Sequence, residues 1–217
     1  MTDTPEHAAL MDATYRHQRL IYDATRAWFL LGRDRLIADL APPPKGRVLE
    51  IACGTGRNLA RIGARYPGRR LFGLDISREM LRTASARLNG RALLAEGDAR
   101  RFDPESLFGT GAFDRIAISY ALSMIPDWPE AIREAVRHLA PGGTLHIVDF
   151  HDQAGLPEAF GKGLRAWLAR FHVEPRTDLA GVVGRIAAET GGEATHRVLF
   201  RGYAQIAVIR QTSRGLR

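Results

Sequence analysis

Short apolar runs, most closed by a carboxylate or a small residue, alternate in this chain with longer stretches whose apolar positions recur at helical spacing. The runs are Val48–Ile51, Arg70–Leu74 ending at Asp75, Ala92–Glu96 ending at Gly97-Asp98, Phe113–Tyr120 and Thr144–Phe150. Phe113–Tyr120 has the continuous apolar centre of a parallel strand buried on both faces. Between the runs, helices are predicted from Asn58 to about Ala64, after a Ser77 cap, over Pro129–Leu139, and over 157–171 and 178–190. Arg197–Phe200 and Tyr203–Arg210 read as a closing antiparallel pair around Gly202. Residues 7–40 read as one helix, with Tyr15, Tyr22 and Phe29 at seven-residue spacing on a shared face. Strands alternating with helices and then a terminal hairpin predict an α/β fold, a doubly wound, seven-stranded, mostly parallel sheet with an N-terminal helical extension. A single domain is expected over 1–217, with 1–44 lying over the site and 45–217 forming the core.

Composition narrows the class. The chain has 217 residues, enough to bury a full core between sheet and helices. No apolar run approaches the roughly 18 residues of a membrane span, and the first residues carry Asp3 and Glu6 without a basic leader, so a cytoplasmic protein is expected. Cys53 is the only cysteine, which permits no internal disulfide and no all-cysteine metal site. No metal is expected. The net charge of +7 is uneven: residues 160–217 hold ten basic side chains against four acidic ones. Such a flank either attracts an anionic membrane surface or is simply solvated.

The chemistry concentrates after the first strand, in Glu50-Ile51-Ala52-Cys53-Gly54-Thr55-Gly56-Arg57-Asn58. Glycine permits positive φ and close approach of backbone to a ligand. The helix that follows offers unpaired N–H groups and a positive dipole end. The spacing excludes two nucleotide loops. A dinucleotide fingerprint requires a third glycine at position 59, which is Leu59, and a P-loop requires Lys-Ser or Lys-Thr after Gly56, where Arg57-Asn58 stand. In a doubly wound sheet, ligands sit beyond the carboxyl ends of the strands. Those ends carry Glu50, Asp75, Asp98, Ser119 and Asp149.

Glu50-x-Ala52-x-Gly54-x-Gly56 resembles motif I of class I S-adenosylmethionine-dependent methyltransferases, usually acidic-x-G-x-G-x-G, with Ala52 replacing the first glycine. The resemblance implies the Rossmann-like fold of that class and S-adenosylmethionine as cofactor, with S-adenosylhomocysteine as product. It implies that Asp75 accepts from the ribose hydroxyls with Ile76 against the adenine, and that Asp98 and the Ala99 backbone meet the adenine edge. It further implies that Glu50 meets the methionine ammonium, and that Arg57 or N–H groups near Asn58 hold the carboxylate. Tyr22, Ala52, Cys53, Gly54, Thr55, Gly56, Met80, Gly97, Ser119 and Tyr120 complete the expected cofactor set.

A sulfonium carries its own leaving group, so catalysis is mainly alignment and desolvation. An amine acceptor must also be neutral, and free alkylamines titrate near about 10. Aromatic groups or a carboxylate favour that state or receive the proton. The candidates are Tyr15, Tyr22, Tyr120, Asp149 and His151. Tyr15 and Tyr22 could equally pack the first helix on the sheet, Tyr120 could be a rim residue and His151 a loop histidine. The Asn/Asp-Pro-Pro-Tyr/Phe signature of base-amine methylation is missing at Ser119-Tyr120-Ala121-Leu122, so no nucleic-acid partner is expected.

Met11–Arg19, Ile21-Tyr22-Asp23, Leu30–Asp34, Ser123–Trp128 and Leu145–Phe150 resemble bacterial betaine-lipid N-methyltransferases. That family trimethylates diacylglyceryl-homoserine to diacylglyceryl-N,N,N-trimethylhomoserine, which implies a lipid headgroup amine as substrate. Phosphatidylethanolamine, a small amine, or a nucleic-acid-binding role on the same scaffold are the alternatives. Phe160, Leu164, Trp167, Leu168 and Phe171 share one helical face opposite basic residues, as in an interfacial helix or in a helix packed on a sheet. The sequence leaves the oligomeric state open.

Overall fold

Parallel pairing begins at the first strand, β1 (Arg47–Ile51), which lies between β2 (Arg70–Asp75) and β4 (Phe113–Ser119). The computed structural model describes residues 30–170 and 173–212. With β3 (Leu93–Glu96), β5 (Leu139–Phe150), β6 (Glu193–Leu199) and β7 (Ala204–Arg210), the strands form one seven-stranded sheet in the order β3-β2-β1-β4-β5-β7-β6. The first five are parallel to their neighbours, whereas β7 is antiparallel to both β5 and β6. The terminal hairpin therefore inserts its second strand against β5 and leaves its first at the edge.

Helices α1 (Arg33–Leu40), α2 (Arg57–Arg65), α3 (Arg78–Leu88), α4 (Pro104–Phe108), α5 (Trp128–Arg137), α6 (Glu158–Arg170) and α7 (Leu179–Thr190) fill the connections. Local chemistry sets several boundaries. The Ser77 hydroxyl accepts from Met80 N–H at the start of α3, and Asp103 caps α4 ahead of Pro104. The short α4 and a 3-10 turn at Leu122–Met124 are elements that sequence periodicity misses, because each spans barely one turn.

Two cores cover the faces. One joins Leu49, Ile51, Ile116, Ile118, Leu145 and Ile147 to α5 and α7. The other joins Val48, Ala117, Val148 and Phe150 to α1, α2 and α3. The two sets alternate along each strand, so the continuous apolar runs are those of strands buried on both faces.

Two expectations change. The helix expected across 7–40 is not continuous in its described part. Residues 30–32 are non-helical and α1 starts after Gly32, whose φ is +91°. A Cβ there would lie 3.2 Å from Val148 Cγ2 and 3.4 Å from Leu199 Cδ1, so the chain turns where it meets the sheet. In α6, Leu164 and Leu168 are buried in the second core while Phe160 is exposed. Its apolar face is thus divided, with the two leucines in the core and Phe160 at the surface. Phe171 lies outside the described residues.

Candidate functional site: a cleft at the carboxyl edge of the sheet

The strand order reverses between β1 and β4, and a two-lobed cleft opens beyond their carboxyl ends. The larger lobe, about 720 Å³ of open space, is lined from the ends of β1, β2, β3 and β4 by Ala52, Asp75, Asp98 and Ser119. Ile76, Met80, Gly97, Ala99 and Tyr120 also border it. The smaller lobe, about 520 Å³, is bordered by Glu50, Cys53, Thr55, Asn58 and Arg33. Ala52, Gly54, Met80 and Ser119 line both, so they mark the junction.

The loop between β1 and α2 is held open by backbone conformation. Ala52, Gly54 and Gly56 all have positive φ, at 54°, 54° and 72°. At Gly54 an added Cβ would meet nothing within 4 Å; its N–H donates to Asp75 Oδ2 at 2.7 Å. The other Asp75 oxygen accepts from Ser77 N–H at 2.9 Å. That carboxylate therefore braces the loop against the start of α3 while bordering the larger lobe. Thr55 is held from α3 by Arg87, which donates to its carbonyl and its hydroxyl at 2.6 Å each. Gly56, also in the expected cofactor set, faces α3. It lines neither lobe, and a Cβ there would approach Leu88 Cδ1 to 2.9 Å and Ala84 Cβ to 3.0 Å. Its glycine serves the packing of the loop on α3.

Glu50 is a strongly perturbed group of the cleft. It is 2% exposed. Its Oε1 accepts from Asn58 Nδ2 at 2.7 Å, while Oε2 and Asn58 Oδ1 are buried without hydrogen-bond partners. Burial raises its carboxyl to about 8, against the lowering effects of Asn58 and Arg33. Two buried acceptors without donors are costly and favour a ligand that brings several N–H donors. Asp98 lies in the larger lobe, but its carboxylate is already forked with Arg100, at 2.6 Å for Nη2. The Ser119 hydroxyl is buried without a partner at the junction of the lobes.

Of the expected acceptor-side residues that are described, Tyr120 borders this cleft and Asp149 and His151 do not. Asp149 is fully buried and lines neither lobe. Its oxygens accept from Ser123 N–H at 3.2 Å and Phe150 N–H at 2.8 Å, and burial raises it to about 6. It holds the 3-10 turn, with Arg176 donating to the Leu122 carbonyl of the same turn at 3.1 Å. Tyr120 borders the larger lobe, but its ring packs on Phe150 at 4.6 Å in the second core and its hydroxyl donates to the Leu31 carbonyl. Burial pushes that phenol up, away from proton transfer near neutrality. His151 lines neither lobe; its ring faces His196 at 6.1 Å. Tyr15 and Tyr22 lie outside the described residues. Sequence reasoning missed Arg33, Arg100 and the apolar wall Met124-Ile125-Pro126. Arg33 and the wall sit inside runs that carried the resemblance, Leu30–Asp34 and Ser123–Trp128, but neither run contains a motif that assigns them a contact.

Residues 48–143 match a family described as "Methyltransferase domain". The sheet has the Rossmann-like methyltransferase fold, and residues 48–143 are similar to a methyltransferase domain. The chain is 33% identical over 138 residues to the demethylmenaquinone methyltransferase of Thermus thermophilus, covering 59% of this chain and 60% of that protein. A chain of the Haloferax volcanii complex between the Trm112 methyltransferase activator and a methyltransferase superposes with a TM-score of 0.72 at 14% identity. That match covers 95% of this chain and 99% of the other. Phosphoethanolamine N-methyltransferase 2 of Haemonchus contortus, in complex with S-adenosyl-L-methionine, gives 0.65 at 17% identity over 83% of this chain and 52% of that one. At those identities the likeness is one of fold. The chain spans 38% to 60% of the length of the first curated relatives it matches. Among the described residues no helix is long and apolar enough to cross a membrane, and no cluster of metal-ligating side chains occurs.

Proposed function

We propose that the protein methylates a lipid-borne acceptor with S-adenosylmethionine held in this cleft, and that the acceptor is a headgroup amine, diacylglyceryl-homoserine foremost. The observation that carries the donor assignment is the buried pair of partnerless acceptors, Glu50 Oε2 and Asn58 Oδ1. They fit the ammonium of the methionine part. The larger lobe then takes the nucleoside, with Asp75 at the ribose and Ile76, Met124 and Ile125 as apolar walls for the adenine.

The sulfonium supplies an activated methyl group. This chain's own residues bind, orient and exclude water. Asp75 and the Gly54 N–H fix the loop, Glu50 and Asn58 hold the amino-acid end, and Ser119 stands between the lobes. Alignment of this kind is the main requirement of methyl transfer. Asp149 and Arg176 act from behind, fixing the 122–125 segment that walls the larger lobe.

The amine reading rests on the sequence runs that resemble betaine-lipid N-methyltransferases. A second reading, methylation at carbon of an isoprenoid quinone, is favoured by the 33% identity to the Thermus thermophilus protein. Both acceptors are lipid-borne. Association with an anionic membrane surface, a cytoplasmic location and the absence of a nucleic-acid partner belong to the same proposal. The test supplies labelled cofactor with vesicles carrying diacylglyceryl-homoserine, phosphatidylethanolamine or demethylmenaquinone, and with small water-soluble amines. Label on the homoserine lipid supports the leading reading, and label on the quinone replaces it with the second. Label confined to water-soluble products overturns the lipid acceptor altogether.

A further inference from the structure

Gln205 is a fully buried amide on β7, an inner strand whose Ala204, Ile206, Ala207 and Ile209 are all core residues. A buried carboxamide is costly unless its hydrogen-bonding groups are met. Both N–H groups of this one are used. Nε2 donates to the Phe150 carbonyl at 2.8 Å and to the Arg176 carbonyl at 2.7 Å. Two carbonyl partners fix the orientation of the amide, so Oε1 accepts from His196 Nε2 of β6 at 2.9 Å. Gln205 thus ties the last residue of β5 and both strands of the terminal hairpin to residue 176, between α6 and α7.

The segment that Gln205 pins holds one wall of the larger lobe. Glu174 N–H donates to the Ser123 carbonyl at 3.1 Å. Arg176 donates from Nε to the Leu122 carbonyl at 3.1 Å and from Nη2 to the Ile125 carbonyl at 3.4 Å. Its guanidinium also lies over the Trp128 ring, 5.9 Å from the centroid. The wall they hold is Met124-Ile125-Pro126, entered through the 3-10 turn Leu122–Met124. A single turn of that kind has poor internal hydrogen bonds, so its place is set by what grips it.

We propose that Gln205 is a positioning residue of the donor cleft, which by pinning the Arg176 carbonyl sets where the 122–126 wall stands against the nucleoside. This rests on the reading that the larger lobe takes the nucleoside of S-adenosylmethionine. Gln205 itself lines neither lobe. It acts through Arg176, so the terminal hairpin, far along the chain from the glycine loop, shapes the donor site.

Calorimetric titration with S-adenosylhomocysteine tests this on wild type, Q205M, R176M and the double variant, with I209V as a truncation elsewhere on β7. Methionine keeps the length of glutamine and removes its hydrogen bonds. Q205M is expected to lose about threefold to thirtyfold in affinity and R176M a comparable factor. The double variant should lose no more than the larger single loss, because one residue acts through the other. 5′-Methylthioadenosine, which has the nucleoside without the amino-acid part, should lose the same factor in Q205M, and I209V should bind like wild type. Affinity of Q205M within about twofold of wild type overturns the proposal, as does a loss confined to S-adenosylhomocysteine. Losses that multiply in the double variant, or an equal loss in I209V, overturn it too, since either marks a general loosening of the sheet. If Q205M does not fold, H196L, which removes the partner that orients the carboxamide, takes its place under the same outcomes. Failure of the wild type to bind S-adenosylhomocysteine overturns the donor reading of the cleft itself, separately from the role of Gln205.

Discussion

Replacing Glu50 by glutamine removes a proton-binding group while keeping its shape and the hydrogen bond from Asn58. In the folded chain this carboxyl titrates at about 8, against an ordinary 4.5, because it is desolvated at the end of β1. The folded state therefore holds a proton that the unfolded chain releases above 4.5. Its stabilising contribution is complete below that pH and is lost as pH rises toward 8. At about 1.4 kcal/mol per unit, the loss reaches about 3 kcal/mol at pH 7 and about 4 kcal/mol at pH 8, where the folded group is half titrated. Glutamine has no such loss. The difference in unfolding free energy, E50Q minus wild type, should accordingly grow by about 1.4 kcal/mol per pH unit between pH 5 and 8. Urea unfolding of the cofactor-free proteins, followed by far-UV circular dichroism at several pH values, measures it. Other titrating groups, including Asp149 and His146, cancel in the difference. Two parallel stability curves, with a constant offset across that range, would refute a proton held on Glu50.

Binding should show the same proton. An ammonium beside Glu50 favours the carboxylate, so S-adenosylhomocysteine affinity should rise up to about tenfold per pH unit from pH 6 toward 7.5. Titrations in buffers of different ionisation enthalpy should show close to one proton released, and zero release contradicts the assignment. Ala52→Gly should stabilise the protein. A left-handed alanine costs about 1–2 kcal/mol, and glycine returns only part of this as chain entropy; a melting temperature that fails to rise by a degree or more argues against strain there. Gly56→Ala should destabilise by about 2–4 kcal/mol, from positive φ and from contact with Ala84 and Leu88. Equilibrium urea unfolding checks it, and a neutral result would mean that the loop does not pack on α3 through that residue.

Much of the fold was legible because the signals were local. The apolar runs marked β1, β2, β4 and β5 within a few residues, since strands buried on both faces must be continuously apolar. The Ser77 cap and the Gly202 turn are likewise written in short-range chemistry. Carboxylates at successive strand ends, beside a glycine loop, place Glu50, Asp75 and Asp98 at one edge from the sequence alone. What eluded the sequence depends on contacts between distant residues. α1 begins only after Gly32, at a point where Val148 and Leu199, from far along the chain, crowd the backbone. Asp149 looks like a site residue by position, yet its carboxylate is turned to the Ser123 and Phe150 amides. Tyr120 follows a site strand, but its ring enters the second core.

The sequence by itself determined the layered α/β plan, the methyl-donor loop and the acidic strand ends. Periodicity and spacing are properties of neighbouring residues and survive without a folded context. Only the tertiary structure decided that Gly54 lines the cleft and Gly56 packs on a helix. Only it showed that burial raises the Glu50 carboxyl to about 8, and that Arg33 of α1 lines the smaller lobe. Burial, desolvation and the direction of a side chain are set by what the rest of the chain brings alongside.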